Sequence, residues 1–432
     1  MMEYSKYKDS GVPWIGEIPE HWNVLRGKNI LTLLERPVQE DDDIITCFRD
    51  GEVTLRKNRR EEGFTVSMKE IGYQGVETGD LVVHGMDGFA GAIGVSDSRG
   101  KATPVLNVMD SKENKRYLMY YLRAAAYKDV FMSLSTGIRV RSCDLRWNKL
   151  SVFPFLIPDI NEQDSIVTYI DNLVKRVDDI ICKAKVSIED YKSWKASIIY
   201  EAVTKGLDSD VEMKDSGVEW IGDIPNSWDV LKLKYVIAFI ESGVSVNASQ
   251  SAAGEGKIGV LKTSSVSKFS FRPEENKEVN LDELGRVSCP VRANTIIVSR
   301  MNTPELVGAC GYVEQDYPNL FLPDRLWQVH FLNSVVVKYI WYYLSSNYIR
   351  NYYSSLSSGT SSSMQNISQG QFENAHLVLP PIETQSNIVK FLDRKCSVLD
   401  ALIDEKESLI ANLEAYKKSL VYEVVTGKKR VF

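Results

Sequence analysis

The sequence lacks several features that would place it in particular protein classes. Its 432 residues contain no run of about 18 or more uninterrupted apolar residues, so we expect no membrane-spanning helix. The opening residues MMEYSKYKDS lack the apolar core of a signal peptide. The six cysteines are scattered and form no C-x-x-C pair, which favours reduced thiols and a cytoplasmic location. The four histidines are scattered too, and packing or surface roles are favoured over metal binding.

Sequence signatures of catalysis are also missing. There is no G-x-x-x-x-G-K-[ST] phosphate loop, because GEGKIG at Gly254 is too short and lacks the hydroxyl residue. There is no Asn/Asp-Pro-Pro-Tyr/Phe segment, so we do not expect the chain itself to methylate an exocyclic amine. Neither metal-ligand spacing nor a convincing nucleophile–base pair stands out. We therefore expect no catalytic residue, no metal and no cofactor in this chain.

Positive charge is in short supply. The chain has 52 basic and 58 acidic residues, for a net charge of −6. An autonomous DNA-binding domain usually carries a basic excess. Any nucleic-acid contact must therefore come from local patches or be shared with a partner. The length suggests two to four domains, and the composition is that of a soluble globular protein.

A near-copy of twelve residues shows that the chain has two halves. KDSGVPWIGEIP begins at Lys8 and KDSGVEWIGDIP begins at Lys214, an offset of 206 residues. Glycine and proline punctuate both copies, which predicts a turn-rich loop leading into a strand or helix. We expect Trp14 and Trp22 to anchor this loop against a helix.

A second pair of similar blocks closes each half. IPDINEQDSIVTYID from Ile157 is similar to LPPIETQSNIVKFLD from Leu379, at an offset of 222 that holds as far as YEAVT and YEVVT. The 16-residue difference between the two offsets (222 − 206) must lie in the second middle segment. The ends of each half are thus copied while the middles differ, as expected for a shared scaffold that carries two different heads.

The closing blocks predict two long helices with heptad spacing. Asp159 followed by Glu162 indicates a capping box, and Gly206 a helix stop. Lys395 and Lys406 interrupt the second copy, where they either fix the register or, as we favour, extend from an edge towards solvent. The predicted apolar seams comprise Ile166, Ile170, Leu173, Val177, Ile180, Ala184, Tyr191, Trp194 and Ile198 in the first helix and Ile388, Leu392, Leu399, Leu402, Leu409, Leu413, Tyr416 and Leu420 in the second.

Seams of this length need a partner, and the other copy is the nearest candidate. About 40 residues make a helix of roughly 60 Å. Antiparallel pairing would place one head at each end, whereas parallel pairing would place both heads at the same end.

The two middle segments contain corresponding patterns. The runs Gly79–Asp97 and Asn294–Glu314 predict strands and tight turns, and the runs Asn114–Leu134 and Val335–Leu356 predict amphipathic helices. We therefore expect one mixed α/β fold, used twice.

The polar residues of these segments are suited to reading DNA. Arg, Asn and Gln can contact guanine and adenine edges bidentately, and Ser and Thr can contact phosphates or bases. The Gly- and Ser-rich stretches could equally be solvated linkers, an interpretation we favour for Ser361–Ser363. The predicted DNA-binding residues are Arg56, Lys57, Arg59, Arg60, Arg139, Arg141, Arg146, Arg300, Asn302, Thr360, Gln365 and Asn366.

These motifs carry a resemblance to a known family. The pattern KDSG(V)xWIGxIPxxWxV before each head, with P-P-x-x-x-Q and E-x-V-T around the long helices, resembles the specificity subunit of type I restriction-modification enzymes. The resemblance implies two globular mixed α/β target recognition domains separated by two long antiparallel coiled-coil helices, in a pseudo-two-fold repeat. The implied division is a first recognition domain at 1–157, a central long helix at 158–206, the second repeat loop and recognition domain at 207–379, and a C-terminal long helix at 380–432.

The resemblance also implies partners and a division of labour. Each head would read one half of a split, asymmetric sequence in double-stranded DNA, and the helices would dock two modification (methyltransferase) subunits. S-adenosylmethionine would belong to those adenine-methylating partners, and ATP and Mg²⁺ to two restriction subunits, where these are present. A different interpretation stays open from the residues alone: a protein-binding coiled-coil adaptor with two globular heads, favoured by the negative net charge and the many Tyr and Trp residues.

Overall fold

The structure, a computed structural model, describes residues 4–59, 70–133, 145–361 and 364–431. The chain divides into two compact units. The first unit consists of Met1–Lys185 and Glu407–Phe432, and the second of Val186–Lys406. Each of the two long helices therefore contributes one part to each unit.

The first unit is built from short strands and helices around one end of each long helix. Its strands are β1 (Tyr7–Asp9), β2 (Glu17–Pro19), β3 (Asn23–Arg26), β4 (Thr32–Leu33), β5 (Ile45–Cys47), β6 (Val53–Leu55), β7 (Gln74–Val76), β8 (Leu81–His84), β9 (Ile93–Val95), β10 (Gly100–Ala102), β11 (Leu106–Asp110) and β12 (Pro154–Ile157). Its helices are α1 (Lys115–Tyr127), α2 (Val130–Ser133), α3 (Trp147–Leu150) and the first part of α4 (Ile160–Thr204).

The second unit repeats this plan, and several strands of its main sheet are longer. Its strands are β13 (Met213–Asp215), β14 (Asp223–Pro225), β15 (Asp229–Lys232), β16 (Ile237–Ser242), β17 (Gly259–Leu261), β18 (Asn276–Glu278), β19 (Pro290–Val291), β20 (Thr295–Ser299), β21 (Met301–Asn302), β22 (Cys310–Val313), β23 (Tyr317–Phe321), β24 (Leu326–Phe331), β25 (Ser358–Ser361), β26 (Met364–Asn366) and β27 (His376–Leu379). Its helices are α5 (Val337–Leu344), α6 (Asn347–Leu356), α7 (Gln369–Glu373) and the first part of α8 (Ile382–Val425).

Both heads contain the same four-stranded antiparallel sheet. The strand order is β4-β11-β8-β9 in the first head and β16-β24-β20-β22 in the second. The central strands are largely apolar and most of their residues are buried, as expected for strands covered on both faces. The expectation of one mixed α/β fold used twice is confirmed. The second head adds a further sheet, β18-β17-β23-β19, in which β17 and β23 run parallel.

A buried tyrosine ties each head to both long helices. The Tyr117 hydroxyl donates to the Leu156 carbonyl at 2.9 Å and to the Val425 carbonyl at 3.3 Å. In the second unit, the Tyr339 hydroxyl donates to the carbonyls of Val378 and Val203, at 2.8 and 3.0 Å. All three residues of the second set correspond to those of the first at the 222-residue offset. In each unit the beginning of one long helix therefore lies beside the end of the other, so the helices pair antiparallel.

The buried seam of the long helices differs in part from the predicted one. In α4 the buried side chains include Val177, Ile181, Ala184 and Ile188, at steps of four, three and four residues. Ile180 and Trp194, which we had placed in the seam, are exposed. Ile180 and Ile181 are adjacent and both apolar. The spacing that includes Ile181 continues through Ala184 to the apolar Ile188, whereas the spacing that includes Ile180 reaches the polar Ser187.

The seam of α8 also differs from the prediction, because some residues other than those predicted are buried. Cys396 and Ile403 are buried, while Leu409 and Tyr416 are exposed. Lys395 is exposed, with its ammonium 5.9 Å from the centre of the Phe391 ring. The lysine that seemed to interrupt the seam therefore lies beside it.

The ends of α4 follow the predictions except in one detail. The Asp159 carboxylate accepts from the backbone N–H of Glu162 at 3.1 Å, as an N-cap should, and Gly206 adopts φ of +86° beyond the helix end. The reciprocal half of the predicted capping box is wrong. The buried Glu162 carboxylate instead accepts from the Tyr4 hydroxyl at 2.7 Å and from Trp22 Nε1 at 3.0 Å. The prediction that Trp22 anchors the repeat loop against a helix is confirmed.

Candidate nucleic-acid interface

The two heads have equivalent backbone junctions at one end of the main sheet. In the first head, Gly85 follows β8, its N–H donates to the Val105 carbonyl at 2.8 Å, and its carbonyl accepts from the N–H of Leu145 at 2.8 Å. In the second head, Arg300 follows β20 and makes the same two bonds with Arg325 and Ile367, at 3.1 and 3.0 Å. We call these two places the sheet-end junctions. Their backbones match while their side chains differ.

The junction of the second head gathers four of the predicted DNA-binding residues. Strand β26 pairs antiparallel with β21, which sets Asn302 opposite Gln365 and Met301 opposite Asn366. Arg300 directly precedes β21, so residues from two distant stretches of the sequence meet in one place. Thr360 lies on β25, the third strand of the same small sheet.

Hydrogen bonds orient the polar side chains of this junction. Arg300 Nε donates to the Asp324 carbonyl at 2.7 Å, and no described residue bonds its two terminal nitrogens. Asn302 Nδ2 donates to Ser299 Oγ at 3.3 Å, and its Oδ1 accepts from the Thr303 N–H at 2.9 Å. The Asn366 side-chain oxygen is buried and has no hydrogen-bond partner among the described residues. The terminal nitrogens of Arg300 can therefore contact base edges without first breaking an internal ion pair.

The predicted cations of the first head lie in a different setting. Arg56 and Lys57 belong to a short 3-10 helix, Arg56–Asn58, that follows β6. Arg56 Nε donates to Thr46 Oγ1 at 3.3 Å. Lys57 pairs with Asp43 at 2.5 Å, and this hydrogen-bonded ammonium holds the pKa of the Asp43 carboxyl below its ordinary value.

Arg59 is also engaged within its own head. Its guanidinium pairs with Asp50 at 2.7 Å and Glu52 at 3.0 Å, and lies 4.2 Å from the centre of the Phe48 ring. Because the structure gives Lys57 and Arg59 acidic partners, a contact with DNA would have to compete with these ion pairs. Arg60, Arg139 and Arg141 lie outside the described residues.

Arg146 occupies the sheet-end junction of the first head. It is the N-cap residue of α3, and its Cγ lies 3.6 Å from the position that a Cβ atom on Gly85 would take. In the second head the equivalent N-cap residue is Ser368, at an offset of 222, and the equivalent of Gly85 is Arg300. Each junction therefore carries an arginine, supplied by a different chain segment.

Two further residues of the junctions were missed from the sequence. Arg325 is exposed and directly precedes β24, while Met86 is an exposed apolar side chain that directly follows Gly85. Antiparallel pairing of β24 with β20 sets Leu326 opposite Ser299, and this brings Arg325 beside Arg300. A correct prediction of strand pairing would have found Arg325, but its sequence neighbourhood carries no motif.

Other kinds of site are not evident in the described parts of the chain. Within them, no group of three or more His, Cys, Asp or Glu side chains could hold a metal ion. The described cysteines, which exclude Cys143, are free thiols. In the same residues, no helix combines the length and apolar character needed to cross a membrane.

The family model for the type I restriction modification DNA specificity domain matches residues 225–414 of this chain. The EcoEI specificity subunit of Escherichia coli is 28% identical over 43% of this chain, a match that spans about a third (32%) of that protein's length. The EcoKI specificity subunit of E. coli K12 is 20% identical over 96% of this chain and 90% of its own. The putative MjaX specificity subunit of Methanocaldococcus jannaschii is 23% identical over 100% of this chain and 99% of its own.

Solved structures share the fold. A chain from a type I R-M system, studied for complex assembly and conformational transition, has a TM-score of 0.69 at 14% identity and covers 94% of this chain and 98% of its own. The HsdS subunit of Thermoanaerobacter tengcongensis has a TM-score of 0.50 at 15% identity, covering 95% and 98%. The family model covers residues 225–414, and relatives at 20% and 23% identity match along nearly their whole length, so this chain is similar to the specificity subunits of type I restriction-modification enzymes.

Proposed function

We propose that this chain selects the DNA sequence on which a type I restriction-modification complex acts. The head within residues 1–157 reads one half of a split, asymmetric site in double-stranded DNA, and the head within 207–379 reads the other. The long helices, within 158–206 and 380–432, set the spacer between the two halves. The chain supplies sequence choice and geometry, and the chemistry belongs to its partners.

The observation that carries this proposal is the pair of sheet-end junctions. Two heads with the same strand order place different side chains on the same backbone positions, with Gly85 and Arg146 in one head and Arg300 and Ser368 in the other. An adaptor that gripped two copies of one ligand would need equal surfaces. Unequal polar surfaces on equal scaffolds suit a protein that reads two different short sequences.

The residue types at the second junction match the chemistry of base edges. Arginine contacts guanine bidentately through O6 and N7, and asparagine and glutamine contact adenine through N6 and N7. Arg300, Asn302, Gln365 and Asn366 supply these groups from adjacent strands. Contacts to the phosphates would fix the register on the duplex without carrying sequence information.

The long helices carry equivalent exposed aromatics that support docking of two identical partners. Trp194 in the second unit and Tyr416 in the first are 56% and 50% exposed, and they are related by the same offset of 222 residues. Large exposed aromatic side chains are typical of protein interfaces. We propose that each marks the docking surface of one modification subunit.

Those partners would carry the cofactors. Modification subunits would bind S-adenosylmethionine and act on an adenine flipped out of the stack. Restriction subunits, where present, would use ATP and Mg²⁺. Because the partners close around the duplex and share in neutralising its phosphates, the net charge of −6 on this chain is compatible with the role.

The direct test is methylation by the assembled complex. The chain should be expressed with its modification subunits and the methylated adenines of the host genome mapped by single-molecule sequencing. We expect one bipartite motif that disappears when the gene for this chain is deleted. Methylation that shows no split motif, or that survives the deletion, would refute the proposal.

A protein-binding adaptor is the second candidate function, and the exposed Trp194 and Tyr416 are the observation that favours it. The two functions differ in their response to salt. DNA binding by the assembled complex should weaken steeply as salt rises, because phosphate contacts release counterions. A gel-shift series with and without partners would show this dependence, and its absence would favour the adaptor.

A further inference from the structure

The sheet-end junction of the second head contains an arginine that the DNA-reading residues predicted from the sequence do not include. Arg325 is exposed, and its carbonyl accepts the backbone N–H of Arg300 at 3.1 Å. The Arg300 carbonyl in turn accepts from the N–H of Ile367 at 3.0 Å, directly after β26. Arg325, Arg300 and the Gln365–Asn366 pair therefore lie on neighbouring chain segments at one end of the sheet.

Two hydrogen bonds hold Asp324, the residue directly before Arg325, in place. The Asp324 carbonyl accepts from Arg300 Nε at 2.7 Å, and the Asp324 carboxylate accepts from Ser245 Oγ at 2.6 Å. These bonds occupy Asp324, the nearest acidic neighbour in sequence. The structure records no ion pair for Arg325 with any described residue. The Arg325 guanidinium thus extends from a well-held backbone, which lowers the entropic cost of an ordered contact.

The first head has no counterpart to this pair of arginines. Val105 occupies the position equivalent to Arg325, and Gly85 the position equivalent to Arg300. The arginine of the first junction, Arg146, comes from the other side, at the start of α3. The backbone junction itself requires neither an arginine at position 300 nor one at position 325, because the first head builds the same junction from Gly85 and Val105.

We propose that Arg325 is a specificity-determining residue of the second head, which reads a guanine next to the base contacted from Arg300. This inference rests on the proposed function, since it assigns a role within the DNA-reading surface. A planar guanidinium presents a rigid fork to O6 and N7 of guanine, whereas a lysine ammonium reaches the same two acceptors from a flexible stem with less fixed geometry. Guanine readout therefore predicts a difference between arginine and lysine at this position.

The test uses the full complex with its modification subunits, and duplexes in which each position of both half-sites is changed in turn. We expect Arg325→Ala to lower kcat/KM for methylation of the preferred site by about 5-fold to 150-fold, the range for one bidentate contact. At one base position of the second half-site the complex should no longer prefer one base over the others, while its selectivity in the first half-site is retained. Arg325→Lys should retain only part of the base selectivity at that position, because its flexible ammonium holds the guanine edge in a less fixed geometry.

The matched control is Arg292→Ala. Arg292 is also exposed and precedes the first residue of β20, whereas Arg300 follows the last residue of that strand. We expect no change in rate or motif. Mass spectrometry of each complex checks assembly, and Arg325→Lys provides the readout if the alanine variant does not assemble.

Four results would overturn the assignment. An unchanged motif and rate in Arg325→Ala would show that the side chain makes no productive contact. Full selectivity in Arg325→Lys, or an equal loss on every duplex, would indicate a phosphate contact instead. An equal effect of Arg292→Ala would show that the loss is not specific to the junction. A wild-type complex without a bipartite motif would instead refute the proposed function itself, so the two failures are distinguishable.

Discussion

Lys195 in α4 donates to both carboxylate oxygens of Asp400 in α8, at 2.7 Å each. The equivalent pair at the 222-residue offset, Lys417 with Asp178, lies at 2.5 Å in the other unit. Both pairs are partly exposed, so each contributes roughly 0.2–1 kcal/mol to stability. Their main consequence is that they favour one antiparallel register of the two helices over its neighbours.

A charge exchange tests this register role. Lys195→Glu should lower the free energy of unfolding by about 1 kcal/mol, because it sets two carboxylates opposite each other. Adding Asp400→Lys should restore most of the loss. Denaturant titration of the purified chain measures both. If the double variant were no more stable than the single one, this pair would have no influence on helix pairing.

Removing the exposed aromatics should reduce partner binding one site at a time. We expect Trp194→Ala to leave a complex with one modification subunit, and Trp194→Ala with Tyr416→Ala to leave none at concentrations where the wild type holds two. A loss of about 2 kcal/mol per site corresponds to roughly 30-fold in affinity. Native mass spectrometry gives the stoichiometry. The control is Tyr235→Ala, which removes a 64% exposed aromatic from the second head; an equal loss there would contradict the docking role of Trp194.

The buried tyrosines make the protein sensitive to alkaline pH. Burial raises the pKa of Tyr117 and Tyr339 well above the ordinary value of about 10. A group whose pKa is higher in the folded state contributes stability that is complete below its unfolded pKa and is lost as pH rises. We therefore expect the free energy of unfolding to fall as pH rises above about 10, since unfolding releases protons there.

Substitution to phenylalanine separates the contribution of the hydroxyl. Tyr117→Phe leaves the buried carbonyls of Leu156 and Val425 without this donor, which should cost about 1–3 kcal/mol at neutral pH. It should also make the alkaline loss of stability less steep. Denaturant titrations at several pH values between neutral and alkaline test both effects. Equal pH slopes for the variant and the wild type would show that Tyr117 does not titrate with unfolding.

Arginines of the two junctions should act on separate half-sites. We expect Arg146→Ala to impair recognition in the first half-site and Arg300→Ala in the second, each by about 1–3 kcal/mol if the contact is bidentate to guanine. Competition with duplexes mutated in one half-site measures the effect. If either substitution weakened binding equally on all sequences, that arginine would be a phosphate contact.

The architecture could be predicted because the sequence of the scaffold is repeated within the chain. The copied blocks at Lys8 and Lys214 show the duplication, and the shared offset of 222 locates the two long helices. The register of the seam could not be predicted as well. Ile180 and Ile181 both satisfy an apolar pattern, and only the packing in the structure distinguishes the buried side chain from the exposed one.

The proposed DNA-reading surface illustrates a different limit. Arg300 and Gln365 were both predicted from their side-chain chemistry, but their proximity depends on pairing between β21 and β26, which are about 60 residues apart. Arg325 was missed for the same reason, because strand pairing beside β20 has no local sequence motif. Conversely, Lys57 and Arg59 were predicted from a run of cations, and the sequence did not show that Asp43, Asp50 and Glu52 would pair with them.

Shortening the helices tests whether they act as the spacer. Deleting seven residues, one heptad, from both α4 and α8 preserves the seam register and shortens each helix by roughly 10 Å. Because successive base pairs are about 3.4 Å apart, the spacer of the methylated motif should shorten by about three base pairs. Mapping methylated adenines for the variant complex gives the new spacer directly. The control is a compensated variant in which one heptad is deleted and another inserted in each helix, which should keep the original spacer. An unchanged spacer after the simple deletion would mean that the partners, and not these helices, fix the distance between the half-sites.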